Sequence, residues 1–510
     1  MHNQNRFPQI VTDIVLIIFG LIVLFNFLSS LFITYNFYET GKLTRVSDSL
    51  LINLLFLVLT CTVCIILQKK SPQFFLKLHL KKVKLLAFVS IIVAGGIWVA
   101  AVDCAAYADS ASILNGATAF AQGDYSMISG HYFNAFPFQL GYAFILETIE
   151  RVIGYDKYIV LGLINVVALA CSYLALYKIT DLLFENKNAS IFAIILSLLF
   201  LPPVFFCSFI YGNMLALCFS AWGCFFEIKY LKTGKTLFAC VMILFLSFGV
   251  LAKLNAWIVV IASTGILFID CLRKFKLLKF VIIVLVLLMP IALTSAVTSR
   301  YEGKANSEIS NGIPQSVWLA MGLHDYSIGP GRYDGYNYNV WAQSGYNTKT
   351  ANKIALHDVK LSLIKFSQDP KYAIDFFARK ANSQWNDPEF QSIALNIPNS
   401  ISSPPWIYAV HGNLRNSFFA YFNQYLQFKY CMAVVGFFGL LAFRKKKADI
   451  LPALLLPVAI TGGFFYHLLF EAQSHYIIPY VIMLIPIAAF GISMMPDFFS
   501  TVKSFVHRRG

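Results

Sequence analysis

Residues 50–84 read LLINLLFLVLTCTVCIILQKKSPQFFLKLHLKKVK. The run 50–68 is apolar over about 20 residues, the length that crosses the hydrocarbon core of a bilayer as a helix. Six lysines follow within the next sixteen positions: Lys69, Lys70, Lys77, Lys81, Lys82 and Lys84. Basic residues collect in cytoplasmic loops, so this one stretch supplies both a span and its orientation.

The rest of the chain extends the pattern. Of its 510 residues, 58% are hydrophobic and only 13% charged, with a mean hydropathy of +0.67. A soluble domain carries roughly 25% charged residues. The deficit means that much of the surface faces lipid, and a soluble fold is excluded. The net charge of +15 comes from 40 Lys and Arg against 25 Asp and Glu; in a membrane protein this excess reads as cytoplasmic loops, not as a nucleic-acid surface. Nearly all of the 10 Cys lie inside apolar runs and read as small apolar residues, not as a disulfide framework or a metal site.

Spans are expected near 11–35, 50–68, 85–102, 158–180, 189–208, 210–228, 236–252, 254–271, 278–297, 427–443, 449–470 and 475–495. The fold class is therefore an all-α polytopic membrane protein of about twelve transmembrane helices, its first span uncleaved. Alternating from the loop at 69–84, three further clusters fall on the cytoplasmic side: Lys229 to Lys235, Arg273 to Lys279, and Arg444 to Lys447. So does the tail with Lys503, Arg508 and Arg509. Both termini are thus expected inside. Two non-spanning segments, 103–157 and 298–426, fall outside on one face. The organisation expected is a bundle over 1–297 that includes the loop 103–157, a mainly helical external cap over 298–426, and C-terminal spans over 427–510.

The candidate chemistry lies on that external face. Asp103 ends the third span, where a half-dry carboxylate suits a general base; it can equally cap the next helix. Residues 104–121 read as a surface helix, on which Asp109 is the competing carboxylate. Asp124, after Gly123, reads as a turn residue. The stretch His131, Tyr132 to Gln139 (HYFNAFPFQ) can cover a sugar face or serve as an interfacial aromatic belt. Lys253, in Lys253-Leu254-Asn255, breaks the positive-inside trend. A cation at that depth suits a phosphate headgroup; snorkelling is the other account.

The third-span Asp, the Asn115-Gly116 and later Gly123-Asp124-Tyr125, and the aromatic FPFQLGY at 136–142 resemble the first external loop of C-type (GT-C fold) glycosyltransferases, protein mannosyltransferase-like members of Gram-positive bacteria. The resemblance continues through Tyr211-Gly212-Asn213, Lys253-Leu254-Asn255, Trp318 to Leu323 (WLAMGL), Gly331-Arg332-Tyr333, Asp369-Pro370 and Gln384 to Pro388 (QWNDP). It ends at Glu471-Ala472-Gln473-Ser474-His475-Tyr476, where His475 stands in place of the usual Arg and can act only when protonated or as a neutral donor. Cys104 likewise departs from the acidic or amide residue that often follows the Asp.

The resemblance implies a GT-C-like bundle in the bacterial plasma membrane and an inverting transfer of a sugar from an undecaprenyl-phosphate donor. The acceptor implied is a cell-wall glycopolymer, a teichoic acid or a polysaccharide. It also implies Asp103 as the base. Lys253, His475, Tyr211 and Asn255 would face the donor phosphate and lipid. His131, Tyr132, Gln139, Arg332 and Glu471 would face substrate, with His324 and Trp385 also near a sugar and Glu471 in reach of Lys253. No cofactor is expected, because a phosphate leaving group is already charged and stable; a divalent ion is the alternative. No nucleic acid is expected as a partner. Two other readings compete: a polysaccharide polymerase or ligase, which usually carries an Arg-rich external loop, and a lipid or polysaccharide transporter, which should show paired inverted halves.

Overall fold

The computed structural model describes residues 6–37, 43–70, 78–129, 131–399, 401–446 and 449–507. Lys77, Lys447, Arg508 and Arg509 lie outside the described residues. So do the side chains of His131, Lys445, Lys446 and Lys503.

The elements run in order: α1 (Arg6–Ser30), β1 (Ile33–Phe37), β2 (Leu43–Ser47), α2 (Leu50–Lys70), α3 (Leu80–Val102), α4 (Ala108–Gln122), α5 (Leu140–Ile153), α6 (Tyr158–Phe184), α7 (Lys187–Leu199), α8 (Asn213–Thr233), α9 (Thr236–Ala252), α10 (Trp257–Arg273), α11 (Leu277–Ala305), α12 (Gln315–Gly322), α13 (Tyr336–Gln343), α14 (Thr348–Gln368), α15 (Pro370–Trp385), α16 (Arg415–Lys446), α17 (Leu451–Leu469), α18 (Ser474–Met483) and α19 (Ile485–His507). Among the described residues, nine helices are long and apolar enough to cross a membrane. Their outer faces are apolar too: only 17% of the most apolar stretch of α2 is buried, and Leu51, Leu55, Val58 and Leu59 are all exposed. Apolar surface on that scale is stable only against lipid. The chain is a helical, multi-pass membrane protein.

Three features depart from an unbroken set of spans. The span expected over 11–35 stops at Ser30, and Ile33–Phe37 instead pairs antiparallel with Leu43–Ser47, Ile33 opposite Ser47 and Phe37 opposite Leu43. The α7 run bends by 52° into Pro202–Ser208. This is the expected result of Pro202 and Pro203, which remove backbone donors and clash with the preceding turn. The last run likewise bends by 47° between α18 and α19. At both ends of 298–426 the helices overrun the expected boundaries: α11 continues to Ala305 and α16 begins at Arg415.

Helices approach closely where glycine permits. A Cβ on Gly436 would sit 2.1 Å from the carbonyl oxygen of Ile487, and one on Gly491 would sit 2.1 Å from that of Met432. The α16 and α19 backbones therefore meet directly, the small-residue solution to packing in lipid. The basic helix ends are tied by Lys84–Asp181, Lys232–Glu185, Arg273–Asp449, Lys279–Asp270 and Arg444–Asp13. Between α11 and α16, α12 to α15 build a second, smaller core around Val317, Met321, Trp341 and Phe376, which also takes in Phe136 from the first loop.

Glu147 on α5 anchors that loop. Its carboxylate receives Arg300 Nη1 and Nη2 at 2.9 and 2.8 Å, Tyr301 Oη at 2.6 Å and Arg151 Nη2 at 3.0 Å. Burial opposes its charge, but these donors hold the carboxyl below its usual range. Its stabilising effect is present above the ordinary Glu pKa and is lost as pH falls through the depressed one. Glu147→Gln should destabilise the protein by about 2–3 kcal/mol at neutral pH, read as a lower thermal unfolding midpoint in detergent. The gap to wild type should narrow in acid; a gap independent of pH would contradict this role.

A charged cavity at one end of the bundle

The loops at the helix ends opposite the basic clusters enclose a cavity of about 390 Å³. Its ionic part is assembled by two tight connections. Tyr211-Gly212-Asn213 opens α8 with Gly212 at φ +78, and a Cβ there would meet the carbonyl oxygen of Ala252 at 2.3 Å. Only glycine fits, and that close approach sets Tyr211 beside Lys253, the residue that ends α9.

Lys253 is half-buried in the cavity wall. Its Nζ lies 3.1 Å from the centre of the Tyr211 ring and donates to the Tyr211 carbonyl oxygen at 3.3 Å. Among the described residues, no carboxylate lies within ion-pair distance of it. Burial lowers its pKa to about 7, against the raising effect of Asp109 and Glu471. The same tyrosine reaches the carboxylate opposite: Tyr211 Oη donates to Asp109 Oδ2 at 2.9 Å, and Gln139 Nε2 donates to Tyr211 Oη at 3.3 Å. Asp109 sits in the first turn of α4, where a helix N-terminus favours an anion.

The third wall is the turn between α17 and α18. Glu471 lines the cavity, and burial raises its pKa to about 7. It feels the charge of Lys253 across the space without forming an ion pair. Gln473 gathers the surrounding polar groups: its Oε1 accepts from Arg332 Nη2 at 3.0 Å and from Gln391 Nε2 at 2.8 Å. Because Gln391 spends its amide nitrogen there, its Oε1 faces His475 Nδ1 as an acceptor, so the His475 nitrogen carries the hydrogen. Arg332 is 2% exposed, over the Phe37 ring, and its Nη1 has no partner among the described residues. Lys253 at the cavity and Arg332 behind Gln473 are thus both short of counter-charge among the described residues. Burying a charge this way is costly unless a partner arrives.

Of the residues expected at the site, Asp109, Gln139, Tyr211, Lys253, Asn255, Glu471 and His475 line the cavity. Arg332 stands just behind Gln473, and Tyr132 is partly buried within the field of Asp109. Asp103 is elsewhere: it caps α3 in the left-handed conformation, and its carboxylate accepts from Ser402 Oγ at 2.6 Å and Asn399 Nδ2 at 3.4 Å. Asp124 accepts from the Ser126 backbone at 2.9 Å, as a turn residue does. Trp385 is packed in the core against Phe464, and His324 bonds Tyr326 Oη at 2.7 Å; neither lines the cavity. The sequence reading missed Gln391 and Gln473, which carry no charge pattern to betray them, and Phe37, which lies just past the end of the expected first span. Among the described residues, no cluster of His, Cys, Asp or Glu is placed to hold a metal ion. The sequence matches no protein-family model and no curated protein.

The arrangement suits a ligand that brings one negative charge to Lys253. With the lysine titrating near 7 in the empty site, its binding form is lost as pH rises, and Glu471, ionising over the same range, adds repulsion in the same direction. An alkyl phosphodiester, whose single charge is constant from pH 6 to 8, should therefore bind about tenfold more weakly at pH 8 than at pH 6. Lys253→Arg should flatten the dependence. Affinity that is level with pH in the wild type, or that rises, would refute the assignment.

Proposed function

We propose that the chain is a glycosyltransferase of the bacterial plasma membrane that moves a sugar from an undecaprenyl-phosphate donor to an extracytoplasmic glycopolymer of the cell wall. The observation that carries the reading is Lys253, a half-buried lysine without a carboxylate partner among the described residues, joined through Tyr211 to a carboxylate on the other side of the same cavity. A narrow crevice leaves Lys253 between α8, α10 and α18, lined by Ala216, Leu217, Ala256, Val259 and Met483. Its volume is only about 30 Å³, and Asn213, Ser220 and Asn255 share its lining, so a lipid chain whose phosphate rests at the lysine would enter only as these helices part.

The basic helix ends define the cytoplasmic side by the positive-inside tendency, which puts the cavity outside and both termini inside. Counting the two bent pairs and the 17-residue α9 as spans with the nine long helices makes twelve. In this reading 298–426 is the external cap over the cavity, and the bundle is GT-C-like, as the resemblance implies.

In the reaction, an acceptor hydroxyl gives its proton to a carboxylate and attacks the anomeric carbon from the face opposite the phosphate. The C–O bond to phosphate breaks, the electron pair leaves on the phosphate oxygen, and configuration inverts. Lys253 offsets the charge that develops there. For the base we place Asp109 ahead of Asp103, reversing the preference drawn from the sequence. Asp109 faces the cavity and is oriented by Tyr211, whereas Asp103 is occupied with Ser402 and Asn399. The readings as a polymerase or a transporter gain no specific support from the cavity.

In cells lacking the chain, cell-wall glycopolymer should lose a sugar substituent. Asp109→Asn and Lys253→Ala, at normal protein level, should restore less than about 1% of it, since a general base contributes roughly 10²–10⁴-fold. Asp103→Asn should restore most of it. Full restoration by Asp109→Asn would remove it as the base, and unchanged glycopolymers on deletion would sink the reading.

A further inference from the structure

The cavity has a second wall, chemically unlike the first. On this side Phe136 and Phe138 of the first loop meet Trp318 of α12 and Tyr338 of α13. Phe136 stands edge-on to Tyr338 with ring centres 5.3 Å apart, and Phe138 stands edge-on to Trp318 at 5.8 Å. Such pairs hold one another in fixed orientation. Phe136 is 5% exposed and belongs to the second core, which anchors the wall. Phe138 and Tyr338 are left 37% and 40% exposed. Large rings held rigid and kept open to a cavity mark a surface that waits for a ligand.

Two amides rim these rings. Gln315 is exposed, and Asn337 accepts from the Tyr338 backbone through Oδ1 at 2.9 Å, leaving its Nδ2 without a partner among the described residues. Among the described residues, no Lys, Arg, Asp or Glu belongs to this wall. The field of the Asp109 carboxylate reaches Tyr338. A polyol phosphate would bring a second anion toward Asp109 and find no cation here. A sugar ring fits both properties: its C–H face lies on aromatic rings, and its hydroxyls meet amides that can donate and accept.

We infer that the aromatic wall is the acceptor site and that the acceptor is a neutral saccharide, laid with its ring face on Trp318 and Tyr338 and one hydroxyl turned to Asp109. This rests on the transferase reading and narrows it, for it selects a polysaccharide over a teichoic-acid backbone. It also divides the cavity: charge binding on the Lys253 side, ring binding on the cap side.

Saturation-transfer NMR on the full chain in lipid nanodiscs tests this, with neutral methyl glycosides of glucose, galactose, mannose and rhamnose as probes and glycerol phosphate as the charged comparison. Ring protons of at least one methyl glycoside should receive saturation, and glycerol phosphate should receive less. The signal should fall at least fivefold in Trp318→Ala. Because Trp318 also packs against Phe136, Tyr338→Ser at the more open ring serves as the second variant, with the same loss expected. Saturating undecaprenyl phosphate should leave the signal in place. No transfer to any methyl glycoside, a signal unchanged in both wall variants, competition by undecaprenyl phosphate, or preference for glycerol phosphate would each overturn the inference. Binding of undecaprenyl phosphate itself, followed separately, reports the other half of the cavity. If it does not depend on Lys253 while the glycosides still mark the wall, the donor reading falls and the saccharide site stands.

Discussion

Lys253 stands half-buried in the cavity wall with no carboxylate in contact among the described residues, and the cavity is arranged around that fact. The cost of burying such a charge is several kcal/mol before any partner is found. The protein offsets part of it with the face of Tyr211 and that residue's carbonyl oxygen. The remaining deficit is a binding preference for an anion. Tyr211 matters twice, because its hydroxyl also aims Asp109. A single ring thus stands between Lys253 and the Asp109 carboxylate and keeps the two from a direct ion pair; in the proposed reaction it would separate the donor phosphate from the base.

The bundle makes this arrangement durable. Gly212 lets the start of α8 lie against the end of α9, Glu147 fixes the first loop to α11, and the close α16–α19 contact at Gly436 and Gly491 packs the C-terminal helices. Ion pairs tie the opposite, basic end. The cavity therefore belongs to the end where helices break and loops are long: the α7 run bends after its prolines, and the hairpin at 33–47 delivers Phe37 beneath Arg332. Irregular backbone at that depth is tolerated where it lines a polar space.

The helical spans were legible because each must hide its own backbone from lipid and so writes a long apolar run into the chain. Lys253 was legible for the complementary reason, a cation on the wrong side of that pattern. What could not be read were relations between distant segments. Asp103 and Asp109 differ in sequence only by six positions, yet one is consumed by Ser402 and Asn399 and the other faces Tyr211. Gln391 and Gln473 become a network only when the α17–α18 turn meets the end of 298–426. The first expected span ran on to residue 35, into the first strand, because Leu31, Phe32 and Ile33 are apolar in either structure. Trp318 and Tyr338 were visible as residues, but not their meeting with Phe136 and Phe138, two hundred positions away.

The most direct test is a cryo-electron microscopy structure of the chain in nanodiscs with an undecaprenyl-phosphate hexose. The account predicts phosphate density within hydrogen-bond distance of Lys253 Nζ, lipid density in the crevice between α8, α10 and α18, and the sugar lying between that phosphate and Asp109. Phosphate density away from Lys253, or a lipid that enters by another face and leaves the cavity empty, would contradict it.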